Sequence, residues 1–257
     1  MDTAAPMDRG IRVREAIPLR GMRKMAAEHL ARSYAHVAAV TAFAEVEATA
    51  LVALRHRLAA DPVRAGGVRV TYTALLVQAV ARALSRHPLL NAGLAEDGGE
   101  ILVYDEVNVG VAVALPDGNL IVPVIHGADH LALAEIATRV ASLAERARRG
   151  ALTPPEVRRG TFTLSNVGMV PGVRWATPLV NLPQAAILAA GRIEPRPVIR
   201  DGAVAVAPVL PVSLTYDHRI VNGLPAGQFL GTLLGVLAQP ETMNPGFSPA
   251  GENPNLH

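Results

Sequence analysis

The chain has 257 residues and 50% hydrophobic content, enough to bury a large core within one domain, and its formal net charge is only +2. It has no cysteine, which excludes disulfides, thiolate chemistry and any cysteine-based metal site. Aromatics make up 4% and form no basic-aromatic stripe, Met1 to Gly10 lacks a signal-peptide core, and no apolar run reaches the about 18 residues of a membrane span. Roles in nucleic-acid binding, export and membrane anchoring therefore have no footing, and the expected location is cytoplasmic.

Residues 1–14 read as a flexible lead, and apolar spacing then predicts a helix from Met22 to about Tyr34 followed by a strand over Val40–Val46. Thr49 reads as the N-cap of a helix through Leu58, ended at Asp61-Pro62, and Thr71 opens a second helix through Ser85, closed by Pro88. Strands follow at Ile101–Tyr104, Asn108–Leu115 and Leu120–Ile125, with a turn at Pro116-Asp-Gly118. The strongest helix runs from Ala132 to Arg149 and stops at Gly150, its basic end suiting the negative end of the helix dipole. Later strands fall near Thr161–Leu164, Ala185–Ile193, Ala203–Val206 and Pro211–Tyr216, before a last helix from about Pro225 to Leu237. The tail, 239–257, is rich in proline, asparagine and glycine without periodic apolar spacing, and is expected to be mobile or to lie on a neighbour. The whole implies an α/β fold with one mixed sheet faced by helices, and no repeat of 20–50 residues is evident.

Two strand ends carry chemistry. The run Ser213-Leu-Thr-Tyr-Asp-His218-Arg-Ile-Val-Asn222-Gly223 passes from a β-branched strand into a polar turn that presents His218 beside an apolar helix. A rigidly mounted imidazole titrating near working pH is a candidate general base, although the same pattern also describes a structural histidine. About fifty residues upstream, Gly160-Thr-Phe-Thr-Leu-Ser165-Asn-Val-Gly168 brings a hydroxyl into a glycine turn in the same way.

The stretch Tyr216-Asp-His-Arg-Ile-Val-Asn-Gly223 resembles the Asp-His-Arg-x-x-Asp-Gly signature of the dihydrolipoyl acyltransferase (E2) catalytic domains of 2-oxoacid dehydrogenase complexes, relatives of chloramphenicol acetyltransferase. Six further segments are similar to that family in order: Ile17-Pro-Leu-Arg-Gly-Met-Arg-Lys-Met-Ala26, His87-Pro-Leu-Leu-Asn91, Asn108-Val-Gly-Val-Ala-Val113 with Gly118-Asn-Leu-Ile-Val-Pro-Val-Ile125, Thr161 to Gly168, Asn181-Leu-Pro-Gln-Ala-Ala-Ile-Leu188, and Pro195-Arg-Pro-Val-Ile-Arg-Asp-Gly202. The resemblance covers residues 15–238, taken as the catalytic domain, and implies a chloramphenicol acetyltransferase-like two-layer sandwich. It further implies acyl transfer with coenzyme A as co-substrate, His218 as the base, Ser165 as the hydroxyl donor to the oxyanion, and a homotrimer whose sites lie between subunits, His218 of one chain facing Ser165 of the next. No metal enters that chemistry.

Two positions depart from the family pattern. Asn222 stands where aspartate is usual, keeping hydrogen-bonding shape without charge, and Arg23 is a candidate partner for it. Ile125-His126-Gly127-Ala-Asp129 lacks the common arginine and aspartate at its middle positions, which hints at a different acceptor. Full-length E2 chains bear lipoyl and subunit-binding domains; here the resemblance starts near residue 15 and Lys24 is the single lysine, so no lipoyl group is expected on this chain. These features favour acetyl transfer from acetyl-CoA to a hydroxyl of a small-molecule acceptor such as a hydroxymethyl tetronate of polyketide biosynthesis. The alternatives are an E2 core acting on dihydrolipoyl groups supplied in trans, and an inactive E2-like scaffold.

Overall fold

The computed structural model describes residues 7–61 and 66–243; Pro62 and the tail beyond residue 243, both singled out in the sequence, lie outside them, as does the start of the lead segment. A short hairpin, β1 (Met7–Asp8) and β2 (Ile11–Arg12), precedes α1 (Gly21–His36), β3 (Ala39–Glu47) and α2 (Thr49–Ala60). Next come α3 (Tyr72–Leu84), β4 (Ala92–Leu94), β5 (Ile101–Val103), β6 (Val109–Val111), β7 (Val113–Ala114), β8 (Leu120–Ile121), β9 (Val124–Ile125) and α4 (Leu133–Arg148). The chain closes with β10 (Phe162–Asn166), β11 (Ala186–Ala190), β12 (Glu194–Arg200), β13 (Ala203–Asp217) and α5 (Gly223–Ala238).

Seven strands form one mixed sheet in the order β12-β13-β11-β10-β6-β9, with β3 on the other flank of β13. β10 is parallel to β6 and β11, whereas β13 is antiparallel to β11, β12 and β3. Side chains alternate between faces. The face carrying Leu164, Leu188, Val212 and Leu214 is fully buried and shares a core with α2, α3, α4 and α5. Helix α3 is buried on nearly every side, so its sequence is apolar almost throughout. Phe162 tilts against Phe229 of α5 at 5.8 Å, joining sheet to helix layer.

Local chemistry explains the element ends. The Thr71 hydroxyl accepts from Ala74 N at 3.2 Å, an N-cap worth about 1 kcal/mol. Gly150, with φ of 65°, takes the left-handed conformation that ends α4. Thr49 does not cap its helix: Ala48 occupies that position, and the Thr49 hydroxyl donates to Glu47 Oε1 at 2.7 Å.

The expected long strands at 108–115 and 120–125 are each broken in two. Their near halves, β6 and β9, belong to the main sheet, while β7 and β8 pair separately around the turn at Gly118. Conversely, the two strands expected at 203–206 and 211–216 are one strand of 15 residues. Pro208 and Pro211 interrupt its pattern but act there only as carbonyl acceptors, from Ala48 N and Gly191 N at 2.8 and 2.9 Å. β12 was not among the expected strands; it forms despite Pro195 and Pro197, which lack the N–H that a ladder uses.

His87 packs edge-on against Phe229 and its Nε2 lies 2.7 Å from Thr232 Oγ1. Burial, followed by the charge of Arg86, holds its imidazole below the ordinary histidine value. The unfolded chain therefore takes up this proton more readily, so the stability is fully present above the unfolded value near pH 6.5 and is lost as pH falls below it. We expect the melting temperature to drop between about pH 7 and pH 5, and His87→Gln to flatten that slope; an unchanged slope in the variant places the titration elsewhere.

Candidate active site

Ser165 lies next to the end of β10, half-buried, on the sheet face opposite the helix layer. Across the sheet it pairs with Ala189, and Ala189 pairs with Ser213, itself opposite Phe43, so small residues separate the serine from the far strands. The turn beyond is pinned. Asn166 Nδ2 donates to Thr73 Oγ1 at 3.0 Å, while its Oδ1 accepts from Gly168 N at 3.1 Å. Val167 N donates to Ala190 O at 2.9 Å, and a Cβ on Gly168 would stand 2.7 Å from Gly191 O, so only glycine fits this approach. The same face is partly roofed by the chain between β10 and β11, where Trp175 meets Phe43 edge-on at 5.5 Å.

His218 follows the last residue of β13. Its backbone N donates to Ala38 O at 2.9 Å, and its exposed ring tilts against Tyr216 at 5.8 Å. Immediately before it, Asp217 is 1% exposed and accepts from Arg219 Nε at 2.9 and 3.1 Å and from Nη2 at 2.5 Å. The Asp217 carbonyl also accepts from Ile220 N and Val221 N, so carboxylate and backbone together fix the turn that presents the ring. Burial pushes the Asp217 carboxyl up, but the hydrogen bonds and charge of Arg219 outweigh it and hold the group below the ordinary carboxylate value. The sequence reading passed over this clamp, although its signal was the aspartate and arginine flanking the histidine.

Asn222 occupies the N-cap position of α5, with φ −81° and ψ 167°, yet makes no side-chain cap bond. Asparagine is among the best capping residues, yet its side chain is exposed and does not fold back onto the helix end. Arg23 is not beside it within the protomer. Its charge falls on Asp117 in the β7–β8 turn, a carboxylate held low first by its hydrogen bonds from Asn119. That turn lies beyond the β10 end of the sheet, away from Asn222.

Strand polarity sets the spacing of His218 and Ser165. Because β10 runs parallel to β11 and β13 runs against it, Ser165 and His218 stand at opposite ends of the sheet. Ser165 is level with Ser213, five residues before His218 and two strands away. At about 3.3 Å per residue and 4.8 Å per strand the separation is about 15–20 Å, beyond direct contact. Neither of two surface clefts, about 470 and 490 Å³, takes in His218, Asn222 or Ser165.

The loop after β9 sits at the edge strand, four strands from β13. Gly127 has φ of 59° and donates its N–H to Asn108 Oδ1 at 3.0 Å, while His126 Nε2 lies 3.2 Å from Pro155 O. The positive φ favours glycine here, although aspartate is among the few other residues that adopt it, as Asp201 does at φ of 52°. Among the described residues no cluster of three histidine or acidic side chains could hold a metal, and no helix is long and apolar enough to cross a membrane.

The profile of the family "2-oxoacid dehydrogenases acyltransferase (catalytic domain)" matches residues 12–244. The chain is 37% identical over 226 residues to the dihydrolipoyllysine-residue acetyltransferase component of the pyruvate dehydrogenase complex of Mycoplasma capricolum, covering 88% of this chain and 51% of that protein. It is 36% identical over 231 residues to a probable dihydrolipoyllysine-residue succinyltransferase component of the 2-oxoglutarate dehydrogenase complex of Schizosaccharomyces pombe, covering 89% and 51%. The chain thus spans about half the length of these curated relatives. Among solved structures, the cubic core of a pyruvate dehydrogenase multienzyme complex superposes with a TM-score of 0.85 at 34% identity, covering 93% of this chain and 97% of that one. Azotobacter vinelandii dihydrolipoamide acetyltransferase, studied for the role of a serine, a histidine and an asparagine in its catalytic mechanism, superposes with a TM-score of 0.83 at 34% identity, covering 89% and 93%. Chloramphenicol acetyltransferase, at 17% identity and a TM-score of 0.51 over 82% and 94%, shares the fold.

The buried Asp217 carboxylate gives a stability test. Because its folded value is depressed, its contribution is present above the unfolded value near pH 4 and is lost as pH falls through the depressed range. Asp217→Asn is expected to cost about 1–3 kcal/mol at pH 7, the open Arg219 end moderating the loss, and to unfold less steeply in acid. Equal denaturant midpoints for variant and parent at pH 7 would discount the clamp.

Proposed function

The chain belongs to the 2-oxoacid dehydrogenase acyltransferase (catalytic domain) family, and from that premise we propose that it moves an acyl group between coenzyme A and a dihydrolipoyl thiol. The observation that carries this reading is the pairing of a pinned His218–Asn222 turn with a pinned Ser165 turn. The Azotobacter vinelandii relative has a serine, a histidine and an asparagine under study in catalysis, its histidine and asparagine four positions apart like His218 and Asn222. An asparagine at this position is therefore not peculiar to this chain, and it gives no ground for a decayed site.

In the proposed reaction one ring nitrogen of His218 accepts the proton of the attacking thiol. The resulting thiolate adds to the thioester carbonyl carbon, and the Ser165 hydroxyl donates to the oxyanion that forms. Collapse breaks the original carbon–sulfur bond, and the histidine returns its proton to the departing thiolate. Asn222, four residues on at the N-cap position of α5, is the polar side chain we assign to supporting the imidazole when the site is complete. Since His218 and Ser165 of one protomer are at opposite ends of the sheet, a reacting thioester meets both only where the His218 end of one copy abuts the Ser165 end of another. We take the assembly to be the ring of three that the family resemblance implies.

The dihydrolipoyl acceptor displaces the tetronate hydroxyl as the leading reading, because the curated relatives described above are dihydrolipoyllysine-residue acyltransferases by name. Both acetyl and succinyl enzymes are among them, so acetyl-CoA is the first donor to try rather than a settled one.

The test is to incubate the protein with acetyl-CoA and dihydrolipoamide and follow S-acetyldihydrolipoamide by mass spectrometry, with a hydroxymethyl tetronate in a parallel arm. His218→Ala is expected to abolish transfer with the fold intact, and Ser165→Ala to lower kcat by about 10²–10³ with little change in KM for acetyl-CoA. Retention of most activity in His218→Ala removes it as the base, and no product from wild type with either acceptor or with succinyl-CoA leaves the scaffold reading in its place.

A further inference from the structure

We propose that the cleft between the end of α3, the segment from β5 to β6 and the start of α4 is a binding site for a small organic amine. The N–H groups of an alkylammonium meet Asn91 and Asp129 there, and its chain lies on apolar walls. The cleft takes in none of His218, Asn222 and Ser165, so its ligand is separate from the acyl groups and thiols of the preceding section.

Its volume is about 470 Å³, within the range of small-molecule pockets and far above the share of a single water, about 30 Å³. Leu84, Pro88, Val103 and Val107 give it apolar walls. The charged lining leans one way. Asp105 and Asp129 both face the cleft, the one imidazole at its rim is the exposed His130, and among the described residues neither arginine nor lysine lines it.

Asn91 supplies the first acceptor. It is 2% exposed and ties the turn at Pro88–Leu90 to the chain beyond β5, its backbone oxygen accepting from Tyr104 N at 3.0 Å. Its Nδ2 donates to Tyr104 O at 2.9 Å and to Glu106 O at 3.0 Å. Both amide hydrogens are thus committed to carbonyls, which fixes the end of the amide that carries the oxygen. That Oδ1 is buried and finds no donor among the described residues.

Asp129 supplies the second acceptor from the opposite wall. It closes the loop after β9, where Ala128 N donates to Val107 O at 2.8 Å and Gly127 N donates to Asn108 Oδ1, so the carboxylate is mounted on fixed backbone. Its Oδ2 lies 3.4 Å from His130 Nε2, while Oδ1 is buried and, like Asn91 Oδ1, finds no donor among the described residues. Hydroxyls close by are spent elsewhere: Ser85 Oγ donates to Ala81 O at 3.1 Å, and the Tyr104 hydroxyl is turned onto Gly93.

Two shielded acceptors, one of them on a carboxylate, call for donors and positive charge, because a buried acceptor left unmade is costly. A primary ammonium carries three N–H donors, one positive charge and no acceptor. An alcohol offers a single donor without charge, and an anion meets Asp105 and Asp129. A bare metal ion lacks ligands, since no cluster of three histidine or acidic side chains that could hold one occurs among the described residues. The apolar walls then favour an amine with a short hydrocarbon chain over ammonium itself.

The probe is n-butylammonium chloride, titrated into the wild-type protein at constant ionic strength and followed by ligand-observed NMR. 1-Butanol, with the shape and no charge, and tetramethylammonium, with the charge and no N–H, run in parallel. Saturable binding of n-butylammonium at one site per chain is expected, at least tenfold tighter than either control. Asp129→Asn is expected to weaken it at least tenfold, and Val103→Trp, a change on an exposed wall, to abolish it with unchanged circular dichroism and acyl-transfer rate. Should Asp129→Asn fail to fold, Asp105→Asn and Val103→Trp decide in its place. Equal binding of all three probes, no saturable binding of n-butylammonium, or full affinity retained in the folded variants overturns the site.

Discussion

The constraint on which the rest depends is the polarity of three neighbouring strands. β10 and β11 run parallel and β13 runs against them, so the last residues of β10 and those just after β13 stand at opposite ends of one sheet. The chain places its hydroxyl donor at one exit and its imidazole at the other. No side-chain motion spans the gap of about 15–20 Å, since a residue side chain reaches only a fraction of it. A single copy thus holds two half-sites, and the chemistry proposed for them becomes a property of an interface. The fold achieves this without any special device: an antiparallel partner inserted beside a parallel pair is sufficient.

Rigidity is concentrated where that interface would demand it. The Ser165 turn is held by an asparagine bonding in both directions and by a glycine packed against backbone. The His218 turn is held by a buried carboxylate whose charge is matched by the arginine two residues on. Such a pair contributes little net stability against an apolar alternative, because the carboxylate must leave water while its arginine stays partly in it. Its presence beside His218 is better explained by what it does to the backbone, locking the imidazole's mount in one conformation. Asn222, by contrast, leaves its helix uncapped on the side-chain side and so forgoes about 1 kcal/mol that a cap bond would supply.

The sequence made the carriers of this chemistry legible because each is announced by local pattern. A β-branched strand running into a polar turn exposed both His218 and Ser165, and the helices at 71–85 and 132–149 were marked by Thr71 and Gly150, which the structure uses as caps. The misreadings share a cause, in that pairing outweighed local preference. Proline reads as a breaker, yet Pro195, Pro197, Pro208 and Pro211 all sit in strands where no N–H is demanded of them. Glycine and aspartate in 116–118 gave the hairpin turn, but nothing in the spacing shows that its outer half leaves the main sheet. Thr49 has the identity of a cap and spends its hydroxyl on Glu47. Arg23 was assigned by resemblance, and which charge it meets depends on where α1 is laid, a tertiary choice that no window of sequence contains.

Exposed apolar surface is costly in an isolated protomer. A protomer with Ile199, Val204 and Val206 on one arm and Met22, Met25, Leu30 and Tyr34 on one helix exposes two apolar surfaces. Each such side chain forgoes about 1.5–3 kcal/mol relative to full burial. Self-complementary patches would pair copies two at a time and leave the opposite exits unjoined. Unlike patches on different ends would instead impose direction, as in any head-to-tail contact. Direction is what the proposed site requires, since His218 and Ser165 at opposite exits are brought to one substrate only where the imidazole end of one copy meets the serine end of another.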